Sequence, residues 1–392
     1  MTTPSGTSIH LGGYSIDRFL AQVWQQKPLF MEGALGNWAV PIDADQLAGL
    51  ACESEVESRL VSGPYPDGDW RLCHGPFAES DFADPPAAPW TLLVQDVDKL
   101  IPDFDPLIQR FRFLPDWRFD DIMISYAVTG GSVGAHWDDY DVFLIQAAGR
   151  RQWHIDTTDP RCAEVIPDLA LKILKNFTAQ QSWILEPGDA LYLPPGVAHH
   201  GVALDDACMT LSVGFRSPSW AELMSGFGDA LLEMPIGETR YADPGIGPTP
   251  HPGTLSLDVR QSIRSQLSDL LLRHPDAFDQ WLGRYLTEPK INLLPHGCEH
   301  GVPWRGARGH FRRNPSSRIV FAASHDGTSG WLFADGEQHT LNNAQLNGAE
   351  FLADHRVFRF HDLPRESDRV ALAGLVDALL ESGSLEWIDG GE

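Results

Sequence analysis

The sequence predicts a mainly β fold with added helices, in which the middle third of the chain forms a sandwich or a small barrel. Between residues 122 and 215 the chain consists of brief β-branched or aromatic segments, separated by turn-forming Gly, Pro and Asp clusters. After Pro218 the spacing of the apolar residues becomes helical. The 392 residues are 43% hydrophobic, which is enough for packed cores and excludes a disordered chain.

Two helices and a group of strands are predicted ahead of this region. Ser15 is placed to cap a helix whose apolar residues keep helical spacing, and Pro28 stops that helix. A second short helix is expected to begin at residues 43–45. Strand-like segments separated by Pro, Gly and Asp follow between residues 57 and 95, and one helix is expected over roughly residues 97–113.

The chain after Pro218 divides into a helical part and a mixed part. Residues 218–290 carry helical periodicity, interrupted by a segment rich in Pro and Gly. Residues 291–392 contain a predicted β-hairpin, a helix at about residues 368–382 and a closing strand, which suits a small α+β or winged-helix unit. The predicted domains are therefore residues 1–217, 218–290 and 291–392.

The charge of the chain favours basic partners. Fifty-four Asp and Glu against 29 Lys and Arg give a net charge of −25 and a pI near 4.8. Such a surface repels nucleic-acid phosphate and anionic lipid, although many acidic proteins are acidic only for solubility. The stretch Arg305–Arg318 is a local exception, with five arginines and no acid. Contact with RNA through this stretch and a solvated linker between domains are its two interpretations.

Targeting and cysteine patterns indicate a cytoplasmic protein. No apolar run approaches the ~18 residues that span a bilayer, so no membrane partner is expected. The first thirty residues lack a basic leader followed by an apolar stretch. The five cysteines are scattered without a CxxC pair, which argues against a disulfide framework and fits a reducing compartment.

His136 and Asp138 lie on either side of Trp137, where a Gly-rich segment meets a predicted strand. Residues two apart in a strand project from the same face, so an imidazole and a carboxylate can bind one metal ion together. The same His-x-Asp spacing also occurs at His154 and His274, so the pair alone is not specific. It predicts a metal site only in combination with a further ligand.

His199 is the candidate for that further ligand, because it follows a strand and a tight Pro-Pro-Gly turn that can return it to the mouth of a barrel. Two imidazoles and one carboxylate with open coordination positions are the ligand set of non-haem ferrous oxygenases. Open positions matter there because a co-substrate and dioxygen must reach the same iron. A turn histidine bonded to a backbone carbonyl is the alternative for His199, and His200 and Asp139 remain open as neighbouring ligands.

The strand that leads into the motif places Asp121, Met123 and Ser125 on one face, which is expected to be the barrel interior. A carboxylate on that face would match a buried cationic substrate side chain such as a planar guanidinium. The alternative is that Asp120 and Asp121 form a solvated turn before the strand.

Strands later in the chain carry an arginine and two hydroxyl side chains that are further candidates for the site. Arg151 could hold the distal carboxylate of a dicarboxylic co-substrate. Arg150 beside it projects from the other face of a regular strand, so only one of the two arginines should serve. Thr210 and Ser212 share a face and offer hydroxyl donors, although core-facing hydroxyls are common in strands. The segment HGCEHG at residues 296–301 lacks a fourth ligand at zinc-like spacing, and we interpret it as a loop.

Taken together, six segments of the chain resemble the JmjC-type ribosomal oxygenases. The resemblance covers residues 10–240 closely, and the rest of the chain matches in the order and character of its segments. It is greatest to the bacterial enzymes that hydroxylate an arginine of a large-subunit ribosomal protein. The six segments are ESEVESRLVSG, WRLCHGPF, LPDWRFDDIMISYAV, HWDDYDVFLIQAAGRRQW, EPGDALYLPPGVAHHG and LSVGFRSP.

The resemblance implies a double-stranded β-helix (jelly-roll) core of the JmjC or cupin-like kind in residues 1–217. A helical dimerisation region at residues 218–290 and a winged-helix-like domain at residues 291–392 would follow it. It also implies site residues. Fe(II) would be bound by His136, Asp138 and His199; 2-oxoglutarate by Arg151, Ser125 and Thr210; and the substrate by Asp121, Met123, Tyr140 and Ser212.

The activity that the resemblance implies is hydroxylation at C3 of an arginine side chain in a basic ribosomal protein, by a cytoplasmic homodimer that uses Fe(II) and 2-oxoglutarate. Two alternatives stay open. One is an oxygenase of the same chemistry with another protein target, such as a histidyl hydroxylase or a lysyl demethylase. The other is a cupin-like binding protein that keeps the fold without turnover.

Overall fold

The computed structural model describes residues 9–64, 69–160, 163–167, 169, 171–234, 240–245, 247, 253–273, 275–290 and 304–390. The HGCEHG segment lies outside the described residues. The chain forms two compact units, Met1–Ser217 and Pro218–Glu392. None of the helices in the described part of the chain combines the length and the apolar composition needed to cross a membrane.

Within the described residues, the first unit contains five α-helices and eleven strands. Its helices are α1 (Ile16–Gln22), α2 (Ala44–Ala51), α3 (Glu79–Ala83), α4 (Val97–Leu100) and α5 (Asp105–Gln109). Its strands are β1 (Leu29–Met31), β2 (Ser58–Ser62), β3 (Arg71–His74), β4 (Trp90–Val94), β5 (Phe119–Ala127), β6 (Asp141–Ala148), β7 (Arg151–Asp156), β8 (Gln181–Leu185), β9 (Ala190–Leu193), β10 (Ala198–Ala203) and β11 (Cys208–Phe215).

The strands form two antiparallel sheets, one of eight strands in the order β1-β9-β6-β11-β5-β4-β2-β3 and one of three strands in the order β10-β7-β8. Between the sheets, Leu144 and Leu191 of the large sheet pack with Trp153 and Leu185 of the small sheet. Two antiparallel sheets packed face to face make the jelly-roll core that the sequence predicts.

The outer face of the large sheet is covered by the N-terminal helices. Phe19 of α1 and Leu47 of α2 belong to one buried cluster with Ile124 of β5 and Leu211 of β11. Because side chains alternate along a strand, the neighbours of these two strand residues project from the opposite face, toward the small sheet. This alternation leaves the polar positions of β5 and β11 on the inner face.

Some of the predicted elements are confirmed, and others differ from the structure. Ser15 and Asp43 cap α1 and α2, as expected. The single helix predicted at residues 97–113 is wrong: α4 and α5 are separate, because Pro102 disfavours helical geometry at Ile101, which is extended. Strand β10 was not predicted, because its AHHGVA composition carries no strand signal; pairing with β7 stabilises it.

The second unit mixes helices and strands. Its elements are α6 (Trp220–Leu232), α7 (Leu257–Arg273), α8 (Pro275–Thr287), β12 (Gly309–Arg313), β13 (Ile319–Ala323), β14 (Ser329–Ala334), β15 (Glu337–Asn342), α9 (Leu346–Asp354), β16 (Val357–Phe358), α10 (Glu366–Glu381) and β17 (Leu385–Asp389). The strands form the sheets β16-β12-β17 and β13-β14-β15, and α9 and α10 pack with them in one buried cluster. The predicted hairpin, helix and closing strand are β13–β14, α10 and β17.

The Arg305–Arg318 stretch is part of this unit and is not a solvated linker. Arg312 Nη2 lies 2.6 Å from Glu386 Oε2, Arg305 pairs with Asp377, and Arg313 is 2% exposed. Strand β12 runs through the stretch, so the linker interpretation is wrong. These guanidinium groups form contacts inside the unit.

Candidate active site

The side chains of His136, Asp138 and His199 come together at one end of the jelly roll. One ligand atom from each lies within 4.8 Å of the others, and His199 Nε2 is 3.6 Å from Asp138 Oδ2. Backbone hydrogen bonds bring these three residues together. The backbone N–H of His136 donates to His199 O at 3.0 Å, and the backbone N–H of His199 donates to His136 O at 2.8 Å. Gly196 N donates to Asp138 O at 2.8 Å.

A glycine shapes the loop that carries His136. Gly134 has φ of +79°, and a Cβ built there would lie 2.7 Å from the Ile173 side chain. Leu174 N donates to Ala135 O at 2.7 Å, which holds the segment of Ile173 against the loop. Only glycine combines this backbone conformation with this close approach.

The two imidazoles are oriented by backbone carbonyls. His136 Nδ1 lies 3.0 Å from Gly134 O, and His199 Nδ1 lies 3.0 Å from Val197 O. Since a carbonyl only accepts, each Nδ1 carries the proton and each Nε2 keeps its lone pair. Burial, with a smaller contribution from His136, lowers the pKa of His199 to about 4. Both features favour the neutral imidazole that a metal ion requires.

The neighbouring His200 belongs to the other face of β10. Its ring lies 6.1 Å from that of His154 and 6.1 Å from that of Phe177, measured between centroids. Alternation along the strand therefore separates it from the cluster of His136, Asp138 and His199. Asp139 lines the adjoining cavity without joining that cluster.

A cavity of about 420 Å³ opens beside the three clustered side chains. Its wall includes six further residues that the sequence singled out. They are Met123, Ser125, Tyr140, Arg151, Thr210 and Ser212. The register of β5 and β11 explains four of them, because Ser125 lies opposite Thr210 and Met123 lies opposite Ser212. Cross-strand partners share a face of the sheet, so both pairs project into the cavity.

Arg151 is the buried cation of the cavity. It is 3% exposed, its Nε donates to Cys208 Sγ at 3.3 Å, and its guanidinium lies 5.6 Å from the Trp153 ring centroid. Its buried Nη2 has no hydrogen-bond partner in the part of the chain that the structure describes. A buried donor without a partner is costly, so this nitrogen indicates a place for an anionic ligand.

The chain is similar to known proteins over most of its length. Residues 106–223 match the JmjC domain family. The chain is 42% identical to the "Ribosomal protein uL16 3-hydroxylase" of Escherichia coli over 275 residues, which cover 70% of this chain and 72% of that protein. The chain belongs to the JmjC-type ribosomal oxygenases. The predicted family is thus confirmed.

Solved structures agree with this ribosomal oxygenase fold. The structure of the E. coli ribosomal oxygenase YcfD in complex with cobalt and 2-oxoglutarate has a TM-score of 0.81 and 33% sequence identity, and covers 97% of this chain and 99% of that chain. The YcfD structure with cobalt and succinic acid gives the same values. A "Probable ribosomal oxygenase" of Haemophilus influenzae is 34% identical over 67% of this chain and 65% of that protein.

In this ribosomal oxygenase, Asp121 does not line the cavity as Met123 and Ser125 of the same strand do. It is 5% exposed inside the strand, so the solvated-turn alternative is wrong. It is absent from the described residues that line the cavity. Gln95 links Asp121 to Arg59: its Nε2 donates to Asp121 Oδ2 at 2.6 Å, and its Oε1 accepts from Arg59 Nη2 at 3.3 Å. Arg59 itself lines the cavity.

Sequence reasoning missed the part of the cavity wall that β2 and β4 supply. Arg59 and Val61 come from β2, and Thr91 and Leu93 come from β4. Both strands were predicted, and their period-two alternation was the available signal. Nothing in the local pattern showed which face would meet the cluster of His136, Asp138 and His199, because register depends on strands distant in sequence.

Proposed function

We propose that this protein is a 2-oxoglutarate- and Fe(II)-dependent oxygenase that hydroxylates C3 of an arginine side chain in the large-subunit ribosomal protein uL16. The observation that carries the proposal is the joint placement of His136, Asp138, His199 and the unpaired Arg151 Nη2 around one cavity. This combination provides for a ferrous ion and for a dicarboxylate at the same time. The 42% identity to the uL16 3-hydroxylase supports the substrate.

His136, Asp138 and His199 would hold the iron through two imidazole Nε2 atoms and one carboxylate oxygen. The ligand set fits Fe(II), since two histidines and one carboxylate leave coordination positions for other ligands. When bound with 2-oxoglutarate and dioxygen, iron supplies the oxidant for C–H hydroxylation. The chain contributes the fixed ring orientation, through Gly134 O and Val197 O.

Arg151 would bind the distal carboxylate of 2-oxoglutarate through Nη2, with Ser125 beside it. Cys208 Sγ accepts from Nε of the guanidinium, which fixes the position of Arg151 and leaves Nη2 for the ligand. Thr210 would also act indirectly, since its hydroxyl donates to Gln146 Oε1 at 3.1 Å. Gln146 Nε2 in turn lies 3.5 Å from Cys208 Sγ, so Thr210 supports Arg151 through this buried network.

The substrate side chain would enter past Tyr140 and lie along Met123 and Ser212. Met123 and Tyr140 supply apolar contact for the methylene groups of an arginine, and Ser212 supplies a hydroxyl. Asp121 would match the guanidinium once Gln95 moves aside. The net charge of −25 favours approach of a basic ribosomal protein.

The proposed activity predicts that uL16 gains the mass of one oxygen atom on an arginine when incubated with the protein, Fe(II), 2-oxoglutarate and air. Tandem mass spectrometry locates the site, and uL16 carrying lysine in place of that arginine is the control. Modification of a histidine, or loss of a lysine methyl group, would support the alternative targets instead. Absence of both 2-oxoglutarate binding and turnover would leave the non-catalytic binding protein.

We propose further that a second copy of the chain covers the exposed apolar side chains of α6 and α7. Trp220 and Met224 are one helical turn apart on α6 and are 83% and 69% exposed, and Leu267 of α7 is 60% exposed. Large exposed apolar side chains on neighbouring elements are typical of interfaces between protein chains. The predicted homodimer provides the partner for this surface.

Replacing both Trp220 and Met224 by glutamate is expected to convert the dimer into a monomer, because four carboxylates would be buried in the symmetric interface. Light scattering coupled to size-exclusion chromatography measures the mass. Val370→Glu is the matched control, since Val370 is an equally apolar residue on α10 with 80% exposure. A wild-type protein that is monomeric, or a double variant that stays dimeric, contradicts this interface.

We also propose that the protein acts in the cytoplasm, where newly made ribosomal proteins are available. Contact of the Arg305–Arg318 stretch with RNA has little support, because Arg305 and Arg312 are paired with acids and Arg313 is buried.

A further inference from the structure

Thr91, like Arg151 and Trp153, lines the cavity and carries a buried polar atom that has no partner among the described residues. The residue lies on β4, lines the cavity and is 0% exposed. Its Oγ1 has no hydrogen-bond partner among the residues that the structure describes. A buried hydroxyl without a partner destabilises a protein, and buried polar groups in proteins are nearly always paired. The exception at Thr91 therefore points to a ligand that completes the pairing.

The sheet register brings this hydroxyl toward Arg151. Thr91 lies opposite Ala127 of β5, and Ala127 lies opposite Cys208 of β11, so the three side chains form one row on the inner face. Cys208 is the residue that accepts from Arg151 Nε. Ala127 and Cys208 pack with Ala203, which is the strand partner of Arg151 in the small sheet.

We propose that Thr91 Oγ1 donates a hydrogen bond to the distal carboxylate of 2-oxoglutarate, so that this carboxylate is held between Thr91 and Arg151. The inference rests on the proposed function and extends its co-substrate site. A carboxylate has two oxygens and only accepts hydrogen bonds, so it can accept from Arg151 Nη2 and from Thr91 Oγ1 at the same time. One ligand then satisfies Arg151 Nη2 and Thr91 Oγ1, which none of the described side chains does.

The test is the affinity of the full-length, Co(II)-loaded protein for 2-oxoglutarate, measured by calorimetry. Thr91→Val removes the hydroxyl and keeps the shape, and we expect its Kd to rise about tenfold, as for a charge-assisted hydrogen bond. Thr91→Ser restores a hydroxyl and is expected to bind nearly as well as the wild type. The probe 2-oxopentanoate, which lacks the distal carboxylate, is expected to bind the wild type and Thr91→Val equally weakly.

Thermal unfolding without ligand supplies an independent readout. Thr91→Val is expected to unfold at the same or a higher temperature than the wild type, because it removes a buried hydroxyl that has no partner. Equal 2-oxoglutarate affinity of Thr91→Val and the wild type would overturn the inference, as would equal weakening for both probes. A wild-type protein that binds no 2-oxoglutarate would instead overturn the proposed function.

Discussion

His199→Ala is expected to abolish metal binding and hydroxylation together. The residue is 2% exposed, and its Nε2 is directed to Asp138 by the bond of Nδ1 to Val197 O. Loss of a partner that only orients a metal ligand already costs about 10–100-fold in affinity or activity, so loss of the ligand itself should exceed about 100-fold. Titration with Co(II) measures the affinity, and mass spectrometry of uL16 measures the activity.

His200→Ala is the matched control for this prediction. His200 is adjacent in sequence and equally an imidazole in β10, but its ring lies beside His154 and Phe177 on the opposite face. We expect His200→Ala to bind Co(II) as the wild type does. Loss of metal by His200→Ala with retention by His199→Ala would reverse the assignment of the ligand.

Arg151→Met is expected to remove 2-oxoglutarate binding while leaving metal binding intact. Methionine keeps an unbranched side chain beside Trp153 but has no positive charge for the distal carboxylate. Leaving one partner of a buried ion pair uncompensated costs about 3–5 kcal/mol, which corresponds to a Kd raised by more than about 100-fold. Calorimetric titration of the Co(II)-loaded protein with 2-oxoglutarate measures the change.

Arg150→Met provides the comparison for Arg151. Arg150 has a half-exposed side chain whose Nε lies 3.5 Å from Asp205 Oδ2 on the surface. A surface pair of this kind contributes about 0–1 kcal/mol, so 2-oxoglutarate affinity should not change. If Arg151→Met bound 2-oxoglutarate as tightly as Arg150→Met, the unpaired Nη2 would have no role in the co-substrate site.

Local patterns were sufficient for most of the secondary structure. Ser15 and Asp43 cap their helices because capping is an interaction between near neighbours. The strands β5 and β11 were recognised from β-branched residues and alternation, and this alternation also placed Met123 and Ser125 on one face. The failure at residues 97–113 is equally local, since Pro102 interrupts a segment with helical spacing at the extended Ile101.

The sequence by itself determined the candidate ligands, His136, Asp138 and His199, and the family whose motifs they share. Only the tertiary structure decided that Asp121 accepts a hydrogen bond from Gln95, that Cys208 accepts one from Arg151, and that Thr91 lines the cavity. The physical reason is that the spacing of two residues in one strand is set by covalent geometry. Contacts across a sheet depend instead on register, which the packing of the whole core determines.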